Sequence, residues 1–178
     1  MNGNTDVMLD LETCGVSPGC VILSIGACTF RGDRTFYEKI SVMDSEHQGL
    51  FKDPATMAWW NKQDPEARKE AFSGAKDLVS ILGSFSDFLR SINSDIYIWG
   101  NGADFDLPIL AAAYIRVGMK TPWKPFNGRC YRTLKNLYFD VKMEPFEGMK
   151  HNALVDAQNQ AAHARLILTK HFNLGKIT

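Results

Sequence analysis

Val7-Met8-Leu9-Asp10-Leu11-Glu12-Thr13 reads as a buried strand that ends in two carboxylates. Val7, Met8, Leu9 and Leu11 are apolar, which suits a strand covered on both faces. Side chains alternate along a strand, so Asp10 and Glu12 point the same way. Two carboxylates side by side repel unless a cation sits between them. A divalent metal that prefers oxygen ligands, Mg²⁺ or Mn²⁺, answers that need. The competing reading is an edge strand whose acids face water. The two readings part on whether the rest of the chain supplies further ligands.

Outward from this strand, Cys14 to Gly19 is a turn-rich link, and Val21 to Phe30 reads as a second strand. Gly32-Asp33 makes a tight turn into a third strand, Thr35 to Ile40, so an antiparallel meander is expected. Ser41 to Lys52 is polar and reads as an irregular loop. Asp53-Pro54 and Asp64-Pro65 each place an acidic cap before a proline, the signature of a helix start. The first of these helices carries Met57, Trp59 and Trp60, whose rings suit a core, a subunit contact or a stack on a base. Ala75 to Ile92 has a helical apolar period. Asp95 to Trp99 is a short strand, and Phe105 to Val117 a helix stopped by Gly118. Arg129 to Arg132 reads as a short strand and Thr133 to Phe139 as a short helix. Asn152 to Phe172 is a long, alanine-rich final helix. The order predicts an α/β fold, a mixed sheet with helices packed on it.

A length of 178 residues predicts one domain spanning 1–178. Basic and acidic residues balance at 20 each, so no global positive field draws in nucleic acid. Cys14, Cys20, Cys28 and Cys130 show no C-x-x-C pair, and free thiols in a reducing cytoplasm are expected. The polar start, Met1 to Asp6, does not read as a signal peptide. No apolar run nears the ~20 residues a membrane helix needs, so no membrane partner is expected.

Three acidic segments carry chemistry: Asp10 with Glu12, Asn101 to Asp106, and His151 to Asp156. In mixed sheets functional groups gather at strand ends. Pairing of strands one and four brings the first two segments together, and the final helix need only cross that end to add Asp156. Phosphodiester hydrolysis by two metals, ~3.5–4 Å apart, needs such a carboxylate cluster. It also needs a base for the attacking water, and a His that titrates near neutrality suits that task. Singly, these residues have ordinary explanations: Asp104 or Asp106 as a helix cap, Asp156 as a first-turn acid, His151 as a surface loop residue. Between Asp104 and Asp106 the spacing alone does not choose.

In this order, Asp10-x-Glu12-Thr13, Asn101-x-x-x-Phe105-Asp106 and His151-x-x-x-x-Asp156 resemble the three motifs of the DEDDh superfamily of 3′→5′ exonucleases. That superfamily takes in ribonuclease T, oligoribonuclease and the proofreading subunit of bacterial DNA polymerase III. Val21-Ile22-Leu23-Ser24-Ile25-Gly26-Ala27, Trp59-Trp60 and Pro65-Glu66-Ala67-Arg68 further resemble a ribonuclease-T-like exoribonuclease branch of mycobacteria, phages and prophages. The resemblance implies a ribonuclease H-like fold: a five-stranded mixed sheet, its first three strands antiparallel, flanked by helices. It implies Asp10, Glu12, Asp106 and Asp156 as ligands of two divalent ions, Mg²⁺ or Mn²⁺, with Asp10 bridging, and it selects Asp106 over Asp104. It implies His151 as general base, and Thr13, Asn101 and Phe105 as candidate substrate contacts or loop-positioning residues. The implied substrates are single-stranded DNA or RNA 3′ ends, shortened stepwise to nucleoside 5′-monophosphates. Arg129, Arg132 and Lys150 are candidates to hold the substrate backbone. A homodimer is also implied, with Trp59-Trp60 suited to its interface. The rival reading is a nucleic-acid-end binding or assembly module with the same fold and little catalysis.

Overall fold

The computed structural model describes residues 5–145, 148 and 151–172. Its centre is β1 (Asp6–Thr13), the strand with the two acids. β1 pairs antiparallel with β2 (Ile22–Thr29), which pairs antiparallel with β3 (Thr35–Lys39). On its other side β1 pairs parallel with β4 (Tyr97–Gly100), and β4 with β5 (Gly128–Cys130). The five strands run in the order β3-β2-β1-β4-β5. The expected meander and mixed sheet are both present.

Alternation along β1 divides the core in two. Val7, Leu9 and Leu11 join Ile25 and Ile98 in the larger apolar cluster. Two helices cover that face: α4 (Leu78–Ile92) through Ile81, Leu82, Phe85 and Leu89, and α5 (Asp106–Arg116) through Ile109, Leu110 and Ala113. The opposite face holds Met8, Cys28, Phe30, Trp99 and Tyr131. It is covered by Ala157, Ala161, Ala164 and Leu168 of the last helix, α7 (Ala153–Phe172). The short α6 (Tyr131–Leu137) packs beside α7. Asp10 and Glu12 follow Met8 along that second face, so they lie beneath the start of α7.

Small residues let α7 come that close. Gly26 pairs with Asp10 across β1 and β2. A methyl group on Gly26 would sit 2.1 Å from the Ala153 backbone carbon and 2.2 Å from the Leu154 nitrogen. Any side chain there pushes the first turn of α7 off the sheet.

The two Asp-Pro starts fold as expected. They open α2 (Pro54–Trp60) and α3 (Pro65–Ala71), with Asp53 and Asp64 accepting hydrogen bonds from the first-turn N–H groups. The stretch from Ser41 to Lys52 does not stay irregular. It contains α1 (Val42–His47), capped by Ser41 Oγ, which accepts the Asp44 N–H at 3.2 Å. This one-and-a-half-turn helix buries only Ser45, so it shows no apolar period to read. α4 starts at Leu78 rather than Ala75, because the Asp77 side chain caps it and Lys76 is held in a bridge to Ile40. No helix among the described residues is long and apolar enough to cross a membrane.

Gly26→Ala is expected to lower stability by about 3 kcal/mol, the upper end of overpacking costs, because the obstacle is backbone and cannot rotate away. Urea unfolding with a circular-dichroism readout measures it, and a loss under 1 kcal/mol contradicts the close contact.

Candidate active site

The C-terminal half of β1 carries Asp10 and Glu12, and the first turn of α7 brings Asp156 over them. One carboxylate oxygen from each of these three residues lies within 4.8 Å of the others. Asn152 fixes where α7 begins. Its Oδ1 accepts the N–H groups of Leu154 and Val155 at 3.1 and 3.2 Å. Its Nδ2 donates to the Tyr37 hydroxyl at 3.2 Å, which ties the helix start to β3.

Asp106 reaches the same place from the start of α5, and its role in the geometry differs. Its Oδ1 accepts the Leu11 N–H at 3.2 Å and its Oδ2 the Asn101 N–H at 2.7 Å. It therefore fastens β1 to the end of β4, and it stands outside the group of three converging oxygens. Gly100 makes room for it: a methyl group there would sit 2.9 Å from Asp106 Oδ2. Asp106 is buried and Asp104 is exposed, so the fold separates the two acids that spacing leaves equal.

Crowding these acids under a helix raises their pKa values. Burial lifts Asp10 well above the usual carboxylate range, and the charges of Asp106, Glu12 and Asp156 add to it. A hydrogen bond from Gln160 Nε2, 2.7 Å from Asp10 Oδ1, opposes them. Burial, with Asp156 and Asp106 adding, pushes Glu12 up to about 8. Burial raises Asp156 too, held back by the charge of His151 and a backbone hydrogen bond from it. Burial also raises Asp106, countered by the N–H groups of Asn101 and Leu11 and by Arg132. Among the described residues no Lys or Arg forms an ion pair with any of the four. An octahedral ion that binds oxygen at about 2.1 Å sets its ligands roughly 3–4.2 Å apart, a spacing the three converging oxygens can meet. The donor set is all hard oxygen, so the residues fit Mg²⁺ or Mn²⁺ better than a soft metal.

The acids floor a cavity of about 590 Å³. His151 stands in its wall with φ +61°, in the left-handed region that residues other than glycine seldom adopt. Trp59 and Trp60 brace the imidazole: both rings meet it edge-on, with centroids 5.0 and 5.9 Å away. Trp60 is fully buried and donates Nε1–H to the Thr13 carbonyl at 2.9 Å, while Trp59 is 42% exposed and lines the cavity. The pair is thus a wall of the site, and Trp60 is not available as the interface residue that the sequence suggested.

Thr13, Asn101 and Phe105 also line the cavity. The Thr13 hydroxyl is engaged, donating to the Gly15 carbonyl at 2.6 Å. Asn101 Oδ1 is buried and has no partner among the described residues. Arg129 is spent on structure: its guanidinium lies 4.5 Å from the Tyr97 ring centre and donates to the carbonyls of Phe126 and Gly128. Arg132 is exposed near Gly102, at the rim. Lys150 lies outside the described residues. Sequence reasoning passed over Gln160. The signal was an amide one helical turn beyond Asp156, on a face rich in alanine.

Residues 5–168 match the family described as the 3′-5′ exoribonuclease Rv2179c-like domain. The chain belongs to this family. Within the curated proteins it is similar to the exodeoxyribonuclease of Enterobacteria phage T4, 29% identical over 122 aligned positions. That match takes in 59% of this chain and 53% of the phage protein, so the chain spans about half the length of this relative. Two solved structures share the fold. The nuclease domain of 3′hExo, a DEDDh family member solved bound to rAMP, has a TM-score of 0.63 at 12% identity, covering 94% of this chain and 93% of its own. Pop2p of S. pombe, solved in an Mg²⁺- and Mn²⁺-bound form, has a TM-score of 0.57 at 14% identity, covering 97% and 86%. The ribonuclease H-like architecture expected of this Rv2179c-like domain is the one it has.

Without a cation the acid cluster opposes folding, in a pH window set by Glu12. Unfolded, this carboxyl titrates near 4.5; folded, at about 8. Between those values the folded state holds a proton that the unfolded state has lost, so stability falls as pH rises. The fall from this one group is at most about 1.4 kcal/mol per pH unit. EDTA-treated protein is therefore expected to lose urea stability from pH 4.5 to 8 more steeply than its Glu12→Gln variant. Mn²⁺ should restore most at the alkaline end. Parallel slopes for the two proteins contradict the assignment.

Proposed function

We propose that this protein is a metal-dependent 3′→5′ exonuclease of single-stranded nucleic acid that releases nucleoside 5′-monophosphates. The observation that carries it is the convergence of Asp10, Glu12 and Asp156 at the floor of a cavity with His151 in its wall. One or two divalent cations held there by Asp10, Glu12 and Asp156 would supply Lewis-acid stabilisation of the charge that develops on the scissile phosphate.

The chain's own residues divide the remaining work. Asp10, Glu12 and Asp156 bind, and Asp106 holds β1 in register while adding negative charge behind them. The imidazole of His151, fixed against two tryptophans, takes the proton of the attacking water. The half-exposed Trp59 ring offers a face to the terminal base. Arg132 gives the rim a cation for a phosphate one step upstream. The zero net charge of the chain fits a short footprint, since a long basic groove is not needed for one or two phosphates. The family is described by its action on RNA and the phage relative by DNA. Sugar choice rests on a contact to the 2′-OH, and both sugars belong in the assay. The free cysteines fit a reducing compartment, and we place the activity in the cytoplasm.

The test is a time course on matched RNA and DNA strands labelled at either end, with Mg²⁺ or Mn²⁺. Stepwise loss from the 3′ end is expected. Asp10→Ala and Asp156→Ala should abolish it with the circular-dichroism spectrum unchanged. His151→Ala should slow turnover by 10²–10⁴-fold, the usual yield of general-base catalysis. Trimming at full rate by Asp10→Ala protein defeats the proposal, and end binding without release favours the rival binding module. Arg132→Ala should weaken substrate binding and reduce the slope of log affinity against log salt by about one.

A further inference from the structure

The inner face of α7 is apolar with two exceptions. Ala153, Ala157, Ala161, Ala164, Ile167 and Leu168 are buried; Gln160 and His163 are the buried polar residues among them. His163 is satisfied at both nitrogens. Its Nδ1 meets the Tyr131 hydroxyl at 2.7 Å and its Nε2 the Val141 carbonyl at 3.0 Å. Gln160 is 6% exposed, and only one end of its amide has a partner. Nε2 donates to Asp10 Oδ1 at 2.7 Å, while Oε1 is buried with no partner among the described residues. An unpartnered buried acceptor costs stability, and a leucine or methionine would fit an apolar face without that cost. The bond to Asp10 is the one contact that explains an amide here.

That bond ties Asp10 of β1 to the helical row that carries Asp156. Gln160 follows Asp156 by four positions, so both lie on the same side of α7, one turn apart. Asp156 reaches the oxygen group directly, and Gln160 reaches it through Asp10. The last torsion of an aspartate side chain is broad, so a hydrogen-bond partner decides how its carboxylate is turned. Ligand carboxylates are commonly held by hydrogen bonds from a second layer of residues, whose loss costs 10–100-fold in metal affinity or activity.

We propose that Gln160 is a positioning residue for the metal site: its amide N–H sets the rotation of the Asp10 carboxylate, and with it the direction in which Asp10 offers lone pairs to a cation shared with Glu12 and Asp156. The inference rests on the metal-dependent reading above. It assigns α7 a double task, to deliver one ligand and to orient another.

The test compares wild-type protein with Gln160→Met, which keeps the length of the side chain and removes the donor. Both are stripped with EDTA and titrated with Mn²⁺ by calorimetry, which needs no turnover. About a tenfold loss of Mn²⁺ affinity is expected, with the melting temperature of the metal-free protein unchanged or higher. In turnover assays, kcat at low Mn²⁺ should fall by a similar factor and recover as Mn²⁺ is raised, with KM for the oligonucleotide unchanged. Should the methionine variant not fold, Gln160→Ala takes its place, since this face of α7 already holds several alanines. Mn²⁺ affinity within twofold of wild type overturns the proposal, as does a loss of kcat that no Mn²⁺ concentration repairs. If wild-type protein itself binds no Mn²⁺, the metal-dependent reading falls first and this proposal with it.

Discussion

Three carboxylate oxygens within 4.8 Å of one another repel unless positive charge lies between them, and here protein walls them in on most sides. The sheet supplies none of that charge. Asp10 and Glu12 sit on its most protected strand, where apolar neighbours and not lysines or arginines are packed. The start of α7 brings the positive end of its dipole, which offsets a fraction of one charge. What remains is a standing demand for a cation. The fold holds the demand in place from several directions at once: β2 through Gly26, β4 and α5 through Asp106, and β3 through Tyr37 and Asn152.

This explains why glycine and alanine, residues with little chemistry, matter so much to the site. Gly26 and the alanines of α7 let a helix lie almost on the backbone of the sheet. A helix held further out by larger side chains would carry Asp156 away from the oxygens it meets. The spacing of the acids is thus decided by the absence of bulk on two neighbouring elements. Asp106 works in the opposite sense. Its carboxylate accepts two backbone N–H groups and acts as a brace, with its charge felt by Asp10 across a short gap. One residue type both converges on the oxygen cluster and braces the backbone, and its hydrogen-bond partners tell the two arrangements apart.

Much of this was legible in the linear sequence. The apolar run with acids two apart gave the central strand, the Asp-Pro pairs gave two helix starts, and the order of acidic segments gave the family. Each is read from short stretches of adjacent residues or from the order in which such stretches occur. The less legible features depend on contacts between distant segments. The helix over Val42–His47 buries almost nothing, so it leaves no period in the sequence. Trp60 fills the core, one of the uses the sequence left open, while both rings meet His151 because α2 lines the site. The positive φ of His151, directly before the Asn152 cap, is not announced by the residue type, since few residues other than glycine adopt it. Gln160 is explained only by its partner 150 residues earlier in the chain.

The same contrast separates chemistry from choice of substrate. Asp10, Glu12, Asp106 and Asp156 all belong to strands or helices, which can hold oxygens within the narrow tolerance a small cation requires. The outer wall is built differently: Gly15 and Val16 from a link between strands, Asn101 from the loop after β4, and Trp59 from a short helix. Few of these wall groups carry a polar atom free to read a sugar; the Thr13 hydroxyl is already engaged, and the buried Asn101 Oδ1 is an acceptor without a partner among the described residues. An acidic floor and a largely apolar, sparsely donating wall offer little that distinguishes one sugar from the other. On that division of labour, discrimination between sugars is a property that changes in the wall can tune without disturbing the floor.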